Sequence, residues 1–394
     1  MKSQRAHFGR VLAFSAIIGL ILSLILLIPG ITSAKVTGPC SNCHTMHNSQ
    51  GGSSMATYGG GTGPNSVLLR GTCIGCHAYN IAGSNNVVDI NGSQIPQVWH
   101  NAGTDLAAGN FKYVDGAGYG KGHNVIDFFG TDSDGVLDAP PGGIPQSFHA
   151  SEYIHGGYLV VSDSDLTCAG ENGCHGSNRS QTLGSGIPAL KGAHHGNVDG
   201  LCNIADDVSN SYRFLLGVRG LENTTDKWQN KDASSHNEYY GATTPPVLGC
   251  SGGISCHGAA GVTSPNNTIS GFCATCHGNF HTLSGGTDYG GTSVGIGSTN
   301  SSPFQRHPTD IVIKDEGEYQ AANRTYNPQA PVGRTTVPDS VITGATENDV
   351  VTCLSCHAAH GSPYPDMLKW DYTTMIAGGG SNTNGCFACH TEKD

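Results

Sequence analysis

Charged side chains are scarce in this 394-residue chain: Lys, Arg, Asp and Glu together make up 12% of it, with only 19 basic residues. No basic stripe exists to neutralise a phosphate backbone, which excludes nucleic acid as a partner. Hydrophobic residues without glycine make up 37%, and the chain reaches the usual level of about 45 to 50% only when its 58 glycines, which bring no side chain to a core, are counted. A core of ordinary side chains would be small, so something else must hold the chain together. Sustained helical periodicity is rare, and no long repeat period occurs, which excludes solenoids and propellers. Methionine is scarce too, with five in the whole sequence.

What the chain has instead is glycine, cysteine and histidine: 58, 15 and 19 residues respectively. Gly, Ser, Asn and Pro interrupt nearly every ten residues, which predicts a mostly irregular, loop-rich fold with short helices after the cysteine motifs and few short strands. The apolar runs at 158–161 and 311–313 read as strands, and 213–218 as helix or strand. Glycine-rich stretches at 51–63, 116–122 and 285–297 mark soft boundaries. At the N-terminus, Lys2, Arg5 and Arg10 precede the apolar run 11–28, and Thr32, Ser33 and Ala34 offer small residues to a signal peptidase. Residues 1–34 are therefore expected to be a signal peptide, or an N-terminal anchor if uncleaved. Losing those three basic residues takes the formal charge from −11 to −14. The rest of the chain is expected to be exported, with an acidic surface suited to solubility and to cationic partners or metal ions.

Five segments read Cys-x-x-Cys-His, at 40–44, 73–77, 273–277, 353–357 and 386–390. Chance would supply about 0.03 of them. Two thiols one short turn apart can add to the two vinyl groups of a haem as thioethers, and the adjacent histidine then lies under the iron. The thioether pairs are Cys40 with Cys43, Cys73 with Cys76, Cys273 with Cys276, Cys353 with Cys356, and Cys386 with Cys389. Two further segments have five intervening residues, Cys168 to Cys174 and Cys250 to Cys256, and a bulge in their Gly-rich inserts would let them meet the same two vinyls. Disulfides or zinc sites would not explain a histidine after every second cysteine. The proximal iron ligands are thus His44, His77, His175, His257, His277, His357 and His390, for seven haem c groups. Cys202 stands outside the pattern and reads as an inert thiol or a bridge between subunits.

Seven irons need seven ligands on their other faces. Four methionines beyond residue 34 cannot supply them, whereas eleven further histidines can. His47, His281 and His360 follow a motif histidine by three or four residues, a reach of roughly 11 to 14 Å at full extension. That is too short to pass round a porphyrin edge and return, so each ligates a different haem and the haems come in close pairs. The remaining distal candidates are His123, His194, His236 and His307, with His195 competing with His194 and His100, His149 and His155 in reserve. Irons held on both faces pass electrons, and only an iron with an open position would act on a substrate. The expected function is electron transfer and not an enzyme activity; the alternative is a terminal metal or oxyanion reductase with one open haem. Two weaker patterns fall away: Asp132, Asp134 and Gly135 lack the later ligands of a calcium loop, and 116–122 lacks the residues of a phosphate loop.

The segments Pro39 to His47, Phe272 to His281, Arg306 to Asp310 and Cys353 to Gly361 resemble the multihaem c-type cytochromes of metal-reducing bacteria. The resemblance covers residues from about 168 to the end and the opening motif, while 79–165 carries no haem site. It implies a multihaem cytochrome c with a stack of low-potential bis-histidine haems as its core, working in extracellular electron transfer at the cell surface or outside the cell, or in the periplasm. Implied partners are other c-type cytochromes, an extracellular acceptor such as a metal oxide or a partner cell, and further copies of the chain, since some relatives polymerise into filaments in which a distal histidine crosses the subunit boundary. Three modules are expected beyond the signal segment: 35–130 with two haem sites, 131–300 with three, and 301–394 with two.

Overall fold

The computed structural model describes residues 39–56, 64–78, 86–90, 93–101, 103–116, 118–129, 166–169, 173–175, 218–223, 225–226, 228–241, 268–274, 277, 307, 309–336, 338, 340–379 and 383–393. All belong to the unit Lys35–Asp394. The signal segment, the strand expected at 158–161, the motif at 250–257 with His257, and Cys202, Cys276, His149, His155, His194, His195 and His281 lie outside them.

The described chain is loop-rich, as its composition predicts. Helices are α1 (Cys73–His77), α2 (Ile126–Phe129), α3 (Ile269–Ala274) and α4 (Cys353–Cys356), supplemented by single 3-10 turns such as Cys40–Asn42 and Gly385–Ala388. The helices do not follow the motifs, as expected from sequence, but form inside them. In four of the short motifs the histidine N–H closes one turn on the carbonyl of the first cysteine: His44 to Cys40 at 2.8 Å, and His277 to Cys273, His357 to Cys353 and His390 to Cys386 at 3.0 Å; the fifth is α1 itself. One turn is what sets two thiols on the same side of the backbone. Thr352 starts α4 through a capping box with Ser355, which satisfies donors the first turn leaves open. The turn ends at once because the next residues are extended: His357 has φ −106° and ψ 147°, and Ala78 has φ −134° and ψ 122°.

Eleven short strands accompany these turns. Hairpins pair β1 (Ser49–Gln50) with β2 (Ser53–Ser54) and β3 (Val87–Ile90) with β4 (Ser93–Pro96). β5 (Thr167–Ala169) lies parallel to β6 (Gly173–His175). A five-stranded mixed sheet collects β7 (Val218–Gly220), β8 (Asn237–Tyr240), β9 (Ile311–Val312), β10 (Gly333–Arg334) and β11 (Asp349–Val351) in the order β7-β8-β10-β11-β9. β9 falls in the run read as a strand, and β7 begins at the end of the ambiguous one. Strands from both sides of residue 300 share this sheet.

Side-chain cores are small, as the apolar shortage requires. One contains Ile74, Ala78, Trp99, Phe111, Val114 and Val125; another contains Val218, Tyr239, Ile269 and Leu354. Ile74, Leu354 and Phe387 each directly follow the first cysteine of a motif, and all three are buried. The motifs are thus fastened by an apolar side chain facing away from the thiols. A braid of backbone bonds ties 106–123 to 358–362: His360 N–H to Ala108 O (2.6 Å), Asn110 N–H to Gly361 O (2.9 Å), His123 N–H to His360 O (3.2 Å) and Ser362 N–H to Lys121 O (2.9 Å). Only glycine fits at 361, because a Cβ there would stand 2.9 Å from the Asn110 carbonyl oxygen. Among the described residues no helix is long and apolar enough to cross a membrane.

Candidate haem sites

The thiols of successive motifs meet. The Cys76 thiol hydrogen-bonds Cys43 and the Cys168 thiol hydrogen-bonds Cys73. Cys273 bonds Cys353 and also feels the charge of Cys174. Cys356 lies near Cys386 and Cys389. Six of the seven motifs therefore follow one another in space in the order of the sequence, and the one at 250–257 lies outside the described residues. None of the eleven described cysteines is in a disulfide. In the long-insert site the parallel register of β5 and β6 sets Thr167 against Gly173 and Ala169 against His175, which puts Cys168 across from Cys174. Asp127 on α2 holds that arrangement by accepting from the Cys168 N–H at 3.1 Å.

The histidines are oriented for a metal. Four of them direct Nδ1 at a backbone carbonyl: His47 at Asn65 (2.8 Å), His77 at Pro96 (2.9 Å), His123 at Ala359 (2.6 Å) and His357 at Asp366 (2.7 Å). An imidazole that donates from Nδ1 has its lone pair on Nε2, the usual arrangement of a metal ligand and its outer partner. Burial lowers the pKa of His77 and His357. It takes His123 to about 4, with repulsion from His277 adding, and His360 to about 3, with repulsion from His175 adding. All four are thus neutral at pH 7, the form that ligates. His360 stacks on Phe111 with ring centroids 4.6 Å apart, and its buried Nδ1 has no hydrogen-bond partner.

Three distal candidates stand opposite a motif histidine. Ring centroids are 6.0 Å apart for His123 and His277, 6.2 Å for His175 and His360, and 6.2 Å for His307 and His390. Two imidazoles on opposite faces of one metal ion, with metal–nitrogen bonds of about 2.0 Å, have centroids roughly 6 to 6.5 Å apart. The donor chemistry, the orientation and the spacing all fit bis-histidine haem. His360 lies beside His175 of the motif at 168–175, the ring centroids 6.2 Å apart.

His236, another distal candidate, stands in a different setting. It is fully buried on β8's approach, its Nδ1 is 3.0 Å from the Asp232 carbonyl and its Nε2 is 2.9 Å from Glu238 Oε1. Both nitrogens thus have hydrogen-bond partners, and Tyr326 stacks on the ring at 3.8 Å. Of the polar groups in its Ser-Ser-His-Asn-Glu setting, Glu238 is the buried partner of its ring.

Two cations beside the thiols carried no sequence signal. Lys369 sits in a buried site near Cys356 and donates to the Leu354 carbonyl at 2.5 Å, and burial lowers its pKa to about 7. Arg70 lies beside both Cys43 and Cys76. Hydrogen bonding from Cys76, with that cation adding, outweighs burial and holds the Cys43 thiol at about 6.

Residues 345–394 match the family described as a doubled CXXCH motif. The chain is similar to the C-type cytochrome OmcS of Geobacter sulfurreducens, at 24% identity over 88% of this chain and 82% of that one. Two solved structures also align: the Outer Membrane Cytochrome S filament from that organism (19% identity, 87% and 86% of the two chains, TM-score 0.41) and the OmcS nanowires (20%, 91% of each, TM-score 0.41). The paired motif and the chain-long similarity bear out the likeness to multihaem c-type cytochromes read from the residues, and they support c-type haem as the cofactor.

Proposed function

We propose that the chain is a heptahaem c-type cytochrome whose haems form one electron path in sequence order, each iron held by two histidines. The observation that carries this reading is the meeting of thiols between neighbouring motifs, from Cys43 with Cys76 at one end to Cys356 with Cys386 at the other. Bound haem supplies one-electron exchange at iron. The protein's own part is to fix the order, keep the histidines neutral, and close the second iron face. His277 works with His123, His175 with His360, and His390 with His307. His44, His77, His257 and His357 are the other proximal ligands, and His47, His194 and His281 are distal ligands. The seventh distal position falls to one of the reserve histidines in place of His236.

An iron closed on both faces favours electron transfer over reduction of a substrate at iron. The role extends to extracellular electron transfer, with donors among other c-type cytochromes, an acceptor outside the cell such as a metal oxide, and self-assembly into a filament. Pyridine haemochrome assay of the secreted protein should give seven haems per chain, and carbon monoxide should leave the reduced spectrum unchanged. A ratio near five would remove the two long-insert sites, and carbon monoxide binding at one haem would move the reading to a reductase. Electron microscopy of the same material should show fibres with a continuous path between haems. Monodisperse particles at all concentrations would end the filament reading alone.

A further inference from the structure

Arg70 is fully buried, yet it has no carboxylate partner among the described residues. Its Nη2 donates to the Met55 carbonyl at 2.7 Å and its Nη1 to the Asn42 carbonyl at 3.4 Å, while Nε has no acceptor. Asn42 directly precedes Cys43. On the other side, Gly75, which directly precedes Cys76, packs so closely on the Arg70 backbone that a Cβ there would stand 3.2 Å from its carbonyl carbon and oxygen. The residue is thus clamped between the motifs at 40–44 and 73–77, touching the backbone of each one residue before its second cysteine. A buried guanidinium is strongly disfavoured without an anion or full hydrogen bonding, and this one has a donor left over at the place where two thioether-bound haems would lie.

The geometry points to Arg70 as the electrostatic anchor of the first haem pair: its buried cation, clamped between the two motifs, raises the reduction potential of the haems held by Cys40, Cys43, Cys73 and Cys76. Reduction takes one electron from a neighbouring ferrous haem, which becomes ferric, and lowers the positive charge at the accepting iron by one. A fixed cation nearby therefore stabilises the reduced form, and low local dielectric strengthens the effect. Arg70 is a positioning and tuning residue, since it touches no iron. This inference rests on the proposal that both motifs carry haem.

The test is a dithionite potentiometric titration of the full-length secreted protein beside Arg70→Gln and Arg70→Lys. Arg70→Gln should weaken the electron affinity of one or two components about tenfold, a downward shift of about 59 mV for a one-electron couple, while Arg70→Lys keeps most of the wild-type value because the charge stays. Haem stoichiometry should remain that of wild type in both. An unchanged Arg70→Gln titration overturns the inference, and so do equal shifts in the two variants, which would mark a purely structural tie. If Arg70→Gln fails to load haem, a Cys40→Ser, Cys43→Ser variant decides. Loss of one component from the upper half of the titration supports the inference, and loss from the lower half overturns it. Wild-type protein with no haem at these motifs would instead sink the haem assignment beneath it.

Discussion

Buried arginines occur at both ends of the motif row, and they are neutralised in opposite ways. Near the last motif, Arg324 donates from Nε to Tyr319 O (2.8 Å), from Nη1 to Asp349 Oδ2 (2.7 Å) and from Nη2 to Thr346 O (2.9 Å). Arg334 donates from Nε to Glu238 Oε2 (3.1 Å), from Nη1 to Asp349 and from Nη2 to Ile342 O (3.4 Å). Two guanidinium groups thus meet two carboxylates, and His236 completes Glu238. The network is woven across the sheet, because Arg334 on β10 is in register with Asp349 on β11. Arg70 beside the first two motifs has two carbonyls and a donor to spare. A charge that is closed within the protein holds a sheet together, whereas a charge left open faces what the protein binds.

The sharpest way to break this contrast is Asp349→Ala. It would leave buried Arg324 without a carboxylate and Arg334 with Glu238 alone, and breaking a buried ion pair usually costs about 3 to 5 kcal/mol. Denaturant unfolding of the haem-loaded protein followed by circular dichroism should show that loss. A cost under about 1 kcal/mol would mean that solvent reaches the network and that the two ends do not differ as described. A smaller effect is expected from His236→Phe, which keeps the stack on Tyr326 but leaves Glu238 Oε1 without its imidazole donor. Glu238 Oε1 keeps the Ile342 N–H at 2.8 Å, so the loss is that of one hydrogen bond, about 0.5 to 1.5 kcal/mol. The variant should leave every iron low-spin by electron paramagnetic resonance, whereas His123→Phe should turn one haem high-spin. A high-spin signal from His236→Phe would restore His236 as a ligand.

Which of these features sequence could show follows from how local each one is. Five of the motifs are pentapeptides, so spacing alone marks them, and the single turn inside each of these is a direct consequence. His47 and His360 were readable because short chain length forbids return to the same iron. The partner of each was not: His360 meets His175 only because a backbone braid brings 106–123 to 358–362, contacts separated by more than two hundred residues. The neighbours of His236 were hidden for the same reason, since Glu238 and Tyr326 reach it through the folding of a sheet whose strands come from distant segments. Arg70 gave no signal at all. Between Leu69 and Gly71 it looks like any surface arginine, and only the approach of two motifs from either side buries it.

At the open end, the smallest and most local perturbation is Gly75→Ala. Position 75 has an ordinary backbone conformation, so no penalty arises from φ, and the only obstacle is the contact of 3.2 Å to the Arg70 carbonyl carbon and oxygen. The added methyl must move Arg70 or the turn of α1 by a few tenths of an ångström, an overpacking cost of about 1 kcal/mol. Because Arg70 is bound on its far side only to the carbonyls of Asn42 and Met55, the displacement would be taken up there, drawing the cation off the thiols. Thermal unfolding should therefore register a small loss, and the component sensitive to Arg70→Gln should move downward by a fraction of that variant's shift. If Gly75→Ala destabilises the protein without moving any potential, the motif at 73–77 yields and Arg70 stays, and the clamp is anchored from the side of Asn42.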